Sequence, residues 1–171
     1  MSTPTLYLSN WANAPLWGPG RQWTIMIAPR HWERGYGWIP TLRPGLEDLR
    51  AVRSRLMDFD VYRDKFLASV KLRGGIPVLA PGKLGGVLEV PEPQSAGGDF
   101  RLLQDGDTLL CGCGQRAAAQ GHCHRVWSAA LLVEAGWTVV LDGVTVLDGQ
   151  DLSAHRPVPV VEQVAKQLRL V

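Results

Sequence analysis

Apolar and polar residues alternate along TLYLS, residues 5–9, which predicts a first strand with Leu6 and Leu8 on one face. A loop rich in Trp, Asn, Pro and Gly runs on through Arg21, and Trp23 to Ala28 predicts a second strand. The stretch from Pro29 to Gly45 mixes prolines, glycines, aromatics and arginines with neither standard period, so it reads as a long ordered loop of the kind that often carries function. Leu46, Leu49, Val52, Leu56 and Met57 then recur at helical spacing. A second helix follows, with Asp60 as its N-cap, Tyr62, Phe66 and Val70 on one face, and Gly74-Gly75 as its end. Ile76 to Ala80 predicts a third strand, and Val87 to Val90 is strand-like inside a Gly- and Pro-rich loop or flap over residues 81–98.

The segment from Asp107 to Gly143 has the clearest pattern. Thr108 to Cys111 is a short apolar run that predicts a buried strand, Cys123 to Ala135 a helix stopped by Gly136, and Trp137 to Leu141 another strand. Such a βαβ unit makes its two strands parallel, and ligands of parallel sheets bind beyond the strands' carboxyl ends. Asp142-Gly143 between VVL and VTVL predicts a type I′ hairpin and hence an antiparallel edge. Val161, Val164 and Leu168, with Glu162 and Lys166 four apart, predict a short amphipathic helix near the C-terminus. Together these elements predict one α/β domain over residues 1–171: a three-layer, Rossmann-like fold with a mostly parallel sheet and a C-terminal antiparallel hairpin.

Composition narrows the function classes. At 171 residues, 46% hydrophobic and 20% charged, the chain has material for one well-buried core. The formal net charge of +2 points neither to a nucleic-acid-coating protein nor to a polyanion mimic. The N-terminus lacks a leader pattern and no run approaches a membrane span, so the expected location is cytoplasmic. Three clustered cysteines suit a reducing compartment, where they act as ligands, nucleophiles or core residues rather than disulfides.

All three cysteines and two of the four histidines gather around one strand-to-helix junction. The first reading of this group is a zinc site built from Cys111, Cys113, Cys123 and one of His122 or His124. The second is a reactive thiolate, with Cys123 at the helix start activated by the dipole, by Arg125 and by a histidine, and His124 as acid/base. The third makes the cysteines buried apolar residues while the His and Arg side chains bind an anion. From Thr108 to Val133 there is no acid, while Arg116 and Arg125 are present, so the loop should carry positive potential and take an anionic guest. Gly112 and Gly114 also fit a G-x-G-x-x-A pattern after a strand, with Asp142 in the place of a ribose-binding acid; Gly121 and His122 interrupt the helix this needs, and Asp142 is already explained as a turn residue. Five of the seven tryptophans fall in the first forty residues among arginines. Trp11, Arg30 and Trp32 are therefore candidates to stack a ring and hold phosphate, against core packing or a self-association surface for the same aromatics. His155, alone near Pro157, reads as exposed and without a role.

Leu110-Cys111 closing a strand and Cys123-His124-Arg125 opening a helix resemble the family called domain of unknown function four-eight-eight, and Pro81 to Gly86 resembles the Leu-Gly-Gly turn that precedes its signature. A related family with a Cys-x-Cys strand end is similar at Cys111-Gly112-Cys113 and at Tyr62-Arg63. The likeness covers roughly the last two-thirds of the chain; here the loop before Cys123 is longer and Gly112 replaces an acid. It implies a Rossmann-like fold and no settled reaction. The leading expectation is a nucleotide- or nucleobase-handling protein, acting if catalytic at a glycosidic or phosphate-bearing carbon. Its site residues would be Cys123 and His124 for chemistry, and Arg125, Arg116, Gly112, Gly114, Trp11, Arg30 and Trp32 for the ligand. The alternatives are a non-enzymatic protein that sequesters or senses a nucleotide signal, and a zinc-stabilised interaction module.

Overall fold

The computed structural model describes residues 2–26, 37–83, 103–113, 117, 118, 120–153 and 155. Among them, six strands form one sheet: β1 (Thr5–Asn10), β2 (Gln22–Thr24), β3 (Gly37–Trp38), β4 (Thr108–Cys111), β5 (Thr138–Leu141) and β6 (Val144–Val146). Their order is β3-β2-β4-β1-β5-β6; all pairs are parallel except β5 with β6. The α-helices with defined bounds among the described residues are α1 (Leu46–Arg53), α2 (Phe59–Leu72), α3 (Gly75–Leu79) and α4 (His124–Glu134). The chain is therefore α/β, with a mostly parallel sheet and an antiparallel C-terminal pair. β4 and β5 are indeed parallel, and the central strand β1 lies between them.

Register explains the core. Leu8 pairs with Leu109 and Leu141, Leu6 with Val139, and Trp23 with Leu109, so these side chains share one face. None has any solvent exposure. They cluster with Val126, Ala129 and Leu132 of α4, which packs on β5, β1 and β4. Helices α2 and α3 pack in turn on α4. Tyr62, Phe66 and Val70 are the buried residues of α2, as their spacing predicts, and the rings of Tyr62 and Phe66 lie 5.2 and 5.5 Å from that of Trp127. Each such side chain contributes about 1.5–3 kcal/mol on full burial.

Three local expectations are corrected. Residues 76–80 do not form a strand: Gly75–Leu79 is a short helix. A five-residue apolar run carries no period of its own, and Pro77 sits in the first turn, where its missing N–H has no intrahelical partner to lose. The helix buries Leu79, whose carbonyl accepts a 2.7 Å bond from Trp137 Nε1. The N-cap of α2 is Asp58 rather than Asp60; Asp60 lies in the first turn and pairs with Arg63 at 3.1 Å. Both aspartates satisfy the same composition rule, and only backbone geometry separates them. Strand β2 closes at Thr24, although the Ile25 N–H still reaches the Leu110 carbonyl at 3.0 Å.

The hairpin is as predicted. Asp142 and Gly143 both have positive φ, 47° and 84°, as a type I′ turn requires, and Leu141 pairs with Val144. Gly143→Ala should destabilise by about 1 kcal/mol, read as a lower thermal midpoint with an unchanged circular dichroism spectrum. The strand-like Val87 to Val90, Arg30, Trp32, Gly114, Arg116 and the C-terminal helix expected over residues 160–170 lie outside the described residues.

Candidate functional site

The carboxyl ends of β1, β4 and β5 and the N-terminus of α4 converge on one buried cluster. Cys111 is the last residue of β4, Cys113 follows two residues on, and Cys123 is the N-cap of α4. Their Sγ atoms all lie within 4.8 Å of one another, with Cys111 and Cys123 only 3.5 Å apart. Cys111 and Cys123 are fully buried, and Cys113 is half-buried. All three are free thiols.

Arg125, without solvent exposure, crosses this cluster. Its Nη1 donates to Cys111 Sγ at 3.1 Å and to the Cys113 carbonyl at 2.8 Å, and lies 3.7 Å from Cys123 Sγ. Its Nε donates to Asp142 Oδ2 at 3.1 Å, and Nη2 pairs with the same oxygen at 3.1 Å. Asp142 Oδ1 accepts from Ser9 Oγ at 3.1 Å, and His155 Nε2 lies 3.3 Å from Oδ2. The acid-free interval seen in the sequence thus ends one strand too early: Asp142 neutralises Arg125 from across β1. The turn explanation of Asp142 is incomplete, because its side chain is buried and is the counter-ion of the guanidinium. A carboxylate held this way is not free for a ribose, so the structure gives no support to a dinucleotide fingerprint. His155 is also corrected: it is 5% exposed and faces Asp142.

The histidines separate cleanly. His122 stacks flat on Phe59, with centroids 3.7 Å apart and planes 5° apart; neither it nor His124 belongs to the group of ligand atoms that lie within 4.8 Å of one another. His124 is buried; its Nε2 lies 2.9 Å from the Ile25 carbonyl, and its Nδ1 lies 4.0 Å from Cys113 Sγ. A carbonyl only accepts, so Nε2 carries the proton and Nδ1 presents a lone pair. Burial lowers the His124 pKa and keeps the ring neutral.

The thiols are unequal. Burial pushes Cys111 up, but hydrogen bonds from Cys113 and Cys123 and the Arg125 charge more than reverse this, leaving it well below the ordinary thiol range. Cys113 is pushed up to about 12, first by its hydrogen bond to Cys111. Burial, followed by the bonds to the other two thiols, holds Cys123 well above its usual value. The thiol whose ionisation the surroundings favour is therefore Cys111, not the helix-capping Cys123 that the sequence favours.

Trp11 follows β1 at the same edge: its backbone N–H donates to the Cys111 carbonyl at 3.3 Å, and its ring meets Trp17 edge-on at 6.2 Å. Asn10 Nδ2 donates to the Cys113 carbonyl at 3.2 Å. Gly112 is exposed, and a Cβ there would stand 2.8 Å from Met26 Cε. Sequence reasoning missed Ser9, Asn10, Asp142 and His155. Ser9 and Asn10 carry the one available signal, a polar pair closing an apolar strand. No family model, curated protein or solved structure matches this chain, and no helix among the described residues is long and apolar enough to cross a membrane.

Proposed function

We propose that this protein is a zinc-stabilised module of Rossmann-like, three-layer type, in which Cys111, Cys113 and Cys123 hold the metal at the carboxyl edge of the sheet. The observation that carries the reading is the convergence of the chain's only three cysteines, whose Sγ atoms all lie within 4.8 Å of one another. Thiolates around tetrahedral zinc stand about 3.8 Å apart, given Zn–S bonds of about 2.3 Å. Three thiolates and Zn²⁺ sum to one negative charge. That charge suits the helix N-terminus, where α4 carries no acid in its first turn and the dipole favours an anionic centre. Arg125 then acts as an outer-shell donor to Cys111 Sγ, oriented by Asp142.

The likeness to the Cys-His-Arg family is part of this proposal, with Cys123 as a ligand, His124 facing the cluster and Arg125 behind it. Each of Cys111→Ala, Cys113→Ala and Cys123→Ala should lower zinc affinity in a competition titration by more than the about 10–100-fold expected for losing an outer-shell partner, and Arg125→Lys should fall within that smaller range. Unchanged affinity in all three cysteine variants would sink the reading.

A second reading is favoured by the 3.1 Å bond from Arg125 to Cys111 Sγ: a nucleotide-handling enzyme with Cys111 rather than Cys123 as nucleophile. It requires turnover of a nucleotide-like substrate by metal-free protein, abolished in Cys111→Ser.

A further inference from the structure

From the geometry of the α4 N-terminus we infer that His124, through Nδ1, is the fourth protein ligand, closing a Cys3His zinc centre. This rests on the zinc reading above and goes beyond it by defining the centre as closed, and hence structural rather than hydrolytic.

The first support is orientation. A metal-bound histidine almost always donates its other ring N–H to a carbonyl or carboxylate, which sets the tautomer and aims the lone pair. His124 has this arrangement: Nε2 is 2.9 Å from the Ile25 carbonyl, on the β2 side of the cluster. Its outward nitrogen, Nδ1, lies 4.0 Å from Cys113 Sγ. Around tetrahedral zinc a sulfur and a nitrogen ligand stand about 3.5 Å apart, from Zn–S of about 2.3 Å and Zn–N of about 2.0 Å. Closing that one distance takes about half an ångström, within reach of the half-buried Cys113; the ring and the other two sulfurs must also draw together around the metal, since the three sulfurs alone lie within 4.8 Å of one another. The second support is the ring's seat: His124 is 3% exposed and its ring lies 5.8 Å from that of Phe66, so it is held by packing and not by solvent. The third is the placement of the neighbouring imidazoles: His122 is stacked on Phe59 and His155 faces Asp142, whereas His124 brings a ring nitrogen to 4.0 Å from Cys113 Sγ.

The test uses the full-length protein loaded with the NMR-active isotope of cadmium, a tetrahedral thiolate-binding stand-in for zinc. A cadmium–proton correlation spectrum should show through-bond cross-peaks to the β-protons of three cysteines and to the ring protons of one histidine. The histidine peaks should persist in His122→Asn and vanish in His124→Asn, with the three cysteine peaks kept in both. Three cysteine sets with no histidine set would overturn the inference and leave an open, water-bearing position, while the zinc reading stood. Histidine peaks lost instead in His122→Asn would also overturn it. Absence of all cysteine cross-peaks would show that the zinc reading itself had failed. If His124→Asn does not fold, the wild-type spectrum with the His31→Asn, His122→Asn and His155→Asn comparisons still decides, because together they assign the bound ring among the four histidines.

Discussion

Replacing Asp142 by alanine should destabilise the protein by about 3–5 kcal/mol in urea unfolding. The cost comes less from the lost ion pair than from what remains: a guanidinium with no solvent exposure, whose Nε and Nη2 have lost the oxygen they share. Ser9 Oγ and His155 Nε2 lose the same partner. Alanine also suits the positive φ of 47° poorly, so the control is Asp142→Asn, which tolerates that backbone, retains one acceptor oxygen and removes the charge together with the second acceptor. The double variant Asp142→Asn with Arg125→Met should recover part of the loss, because it takes out both charges together. Additive losses would mean that the two side chains act independently.

Trp23→Ala should cost about 3–5 kcal/mol, the usual range for emptying a buried tryptophan site. Trp23 has no exposure and pairs with Leu109 in the centre of the core-facing layer. Its Nε1 donates to Asp107 Oδ2 at 2.8 Å. Asp107 is a buried carboxylate that also accepts from the Gln104 N–H at 3.0 Å, from the Arg21 N–H at 2.9 Å and from Arg21 Nη2 at 3.2 Å, and Arg21 lies over the Trp23 ring at 5.0 Å. Trp23→Phe retains most of the apolar filling and removes only the donor, so it should cost about 1–3 kcal/mol. Equal losses for the two variants would place the whole effect in the hydrogen bond to Asp107.

These residues also show how far the sequence is legible. Alternation in TLYLS, the i,i+4 spacing of Tyr62, Phe66 and Val70, and the Asp-Gly turn each encode one element locally, and each forms where the pattern places it. Residues 76–80 fail because a short apolar run fits strand and helix alike, and tertiary contacts, the burial of Leu79 and the bond from Trp137 Nε1 to its carbonyl, go with the helix. The cysteine cluster is half legible: spacing brings Cys111, Cys113 and Cys123 to one sheet edge. The partnership of Arg125 with Asp142, however, depends on β1 inserting between β4 and β5. That non-local strand order turns a hairpin aspartate and an isolated His155 into members of the site. The choice between His122 and His124 is likewise tertiary, since residues two apart on either side of the helix N-cap point in different directions, one onto Phe59 and the other toward Cys113.

The most direct test of the account is the metal content of freshly purified full-length protein, measured by native mass spectrometry and repeated after chelation with a thermal melt. The account predicts one zinc per chain, released by the chelator together with a large drop in the melting midpoint that added zinc restores. Metal-free protein whose midpoint responds to neither chelator nor zinc would contradict it and return the three sulfurs to thiol chemistry.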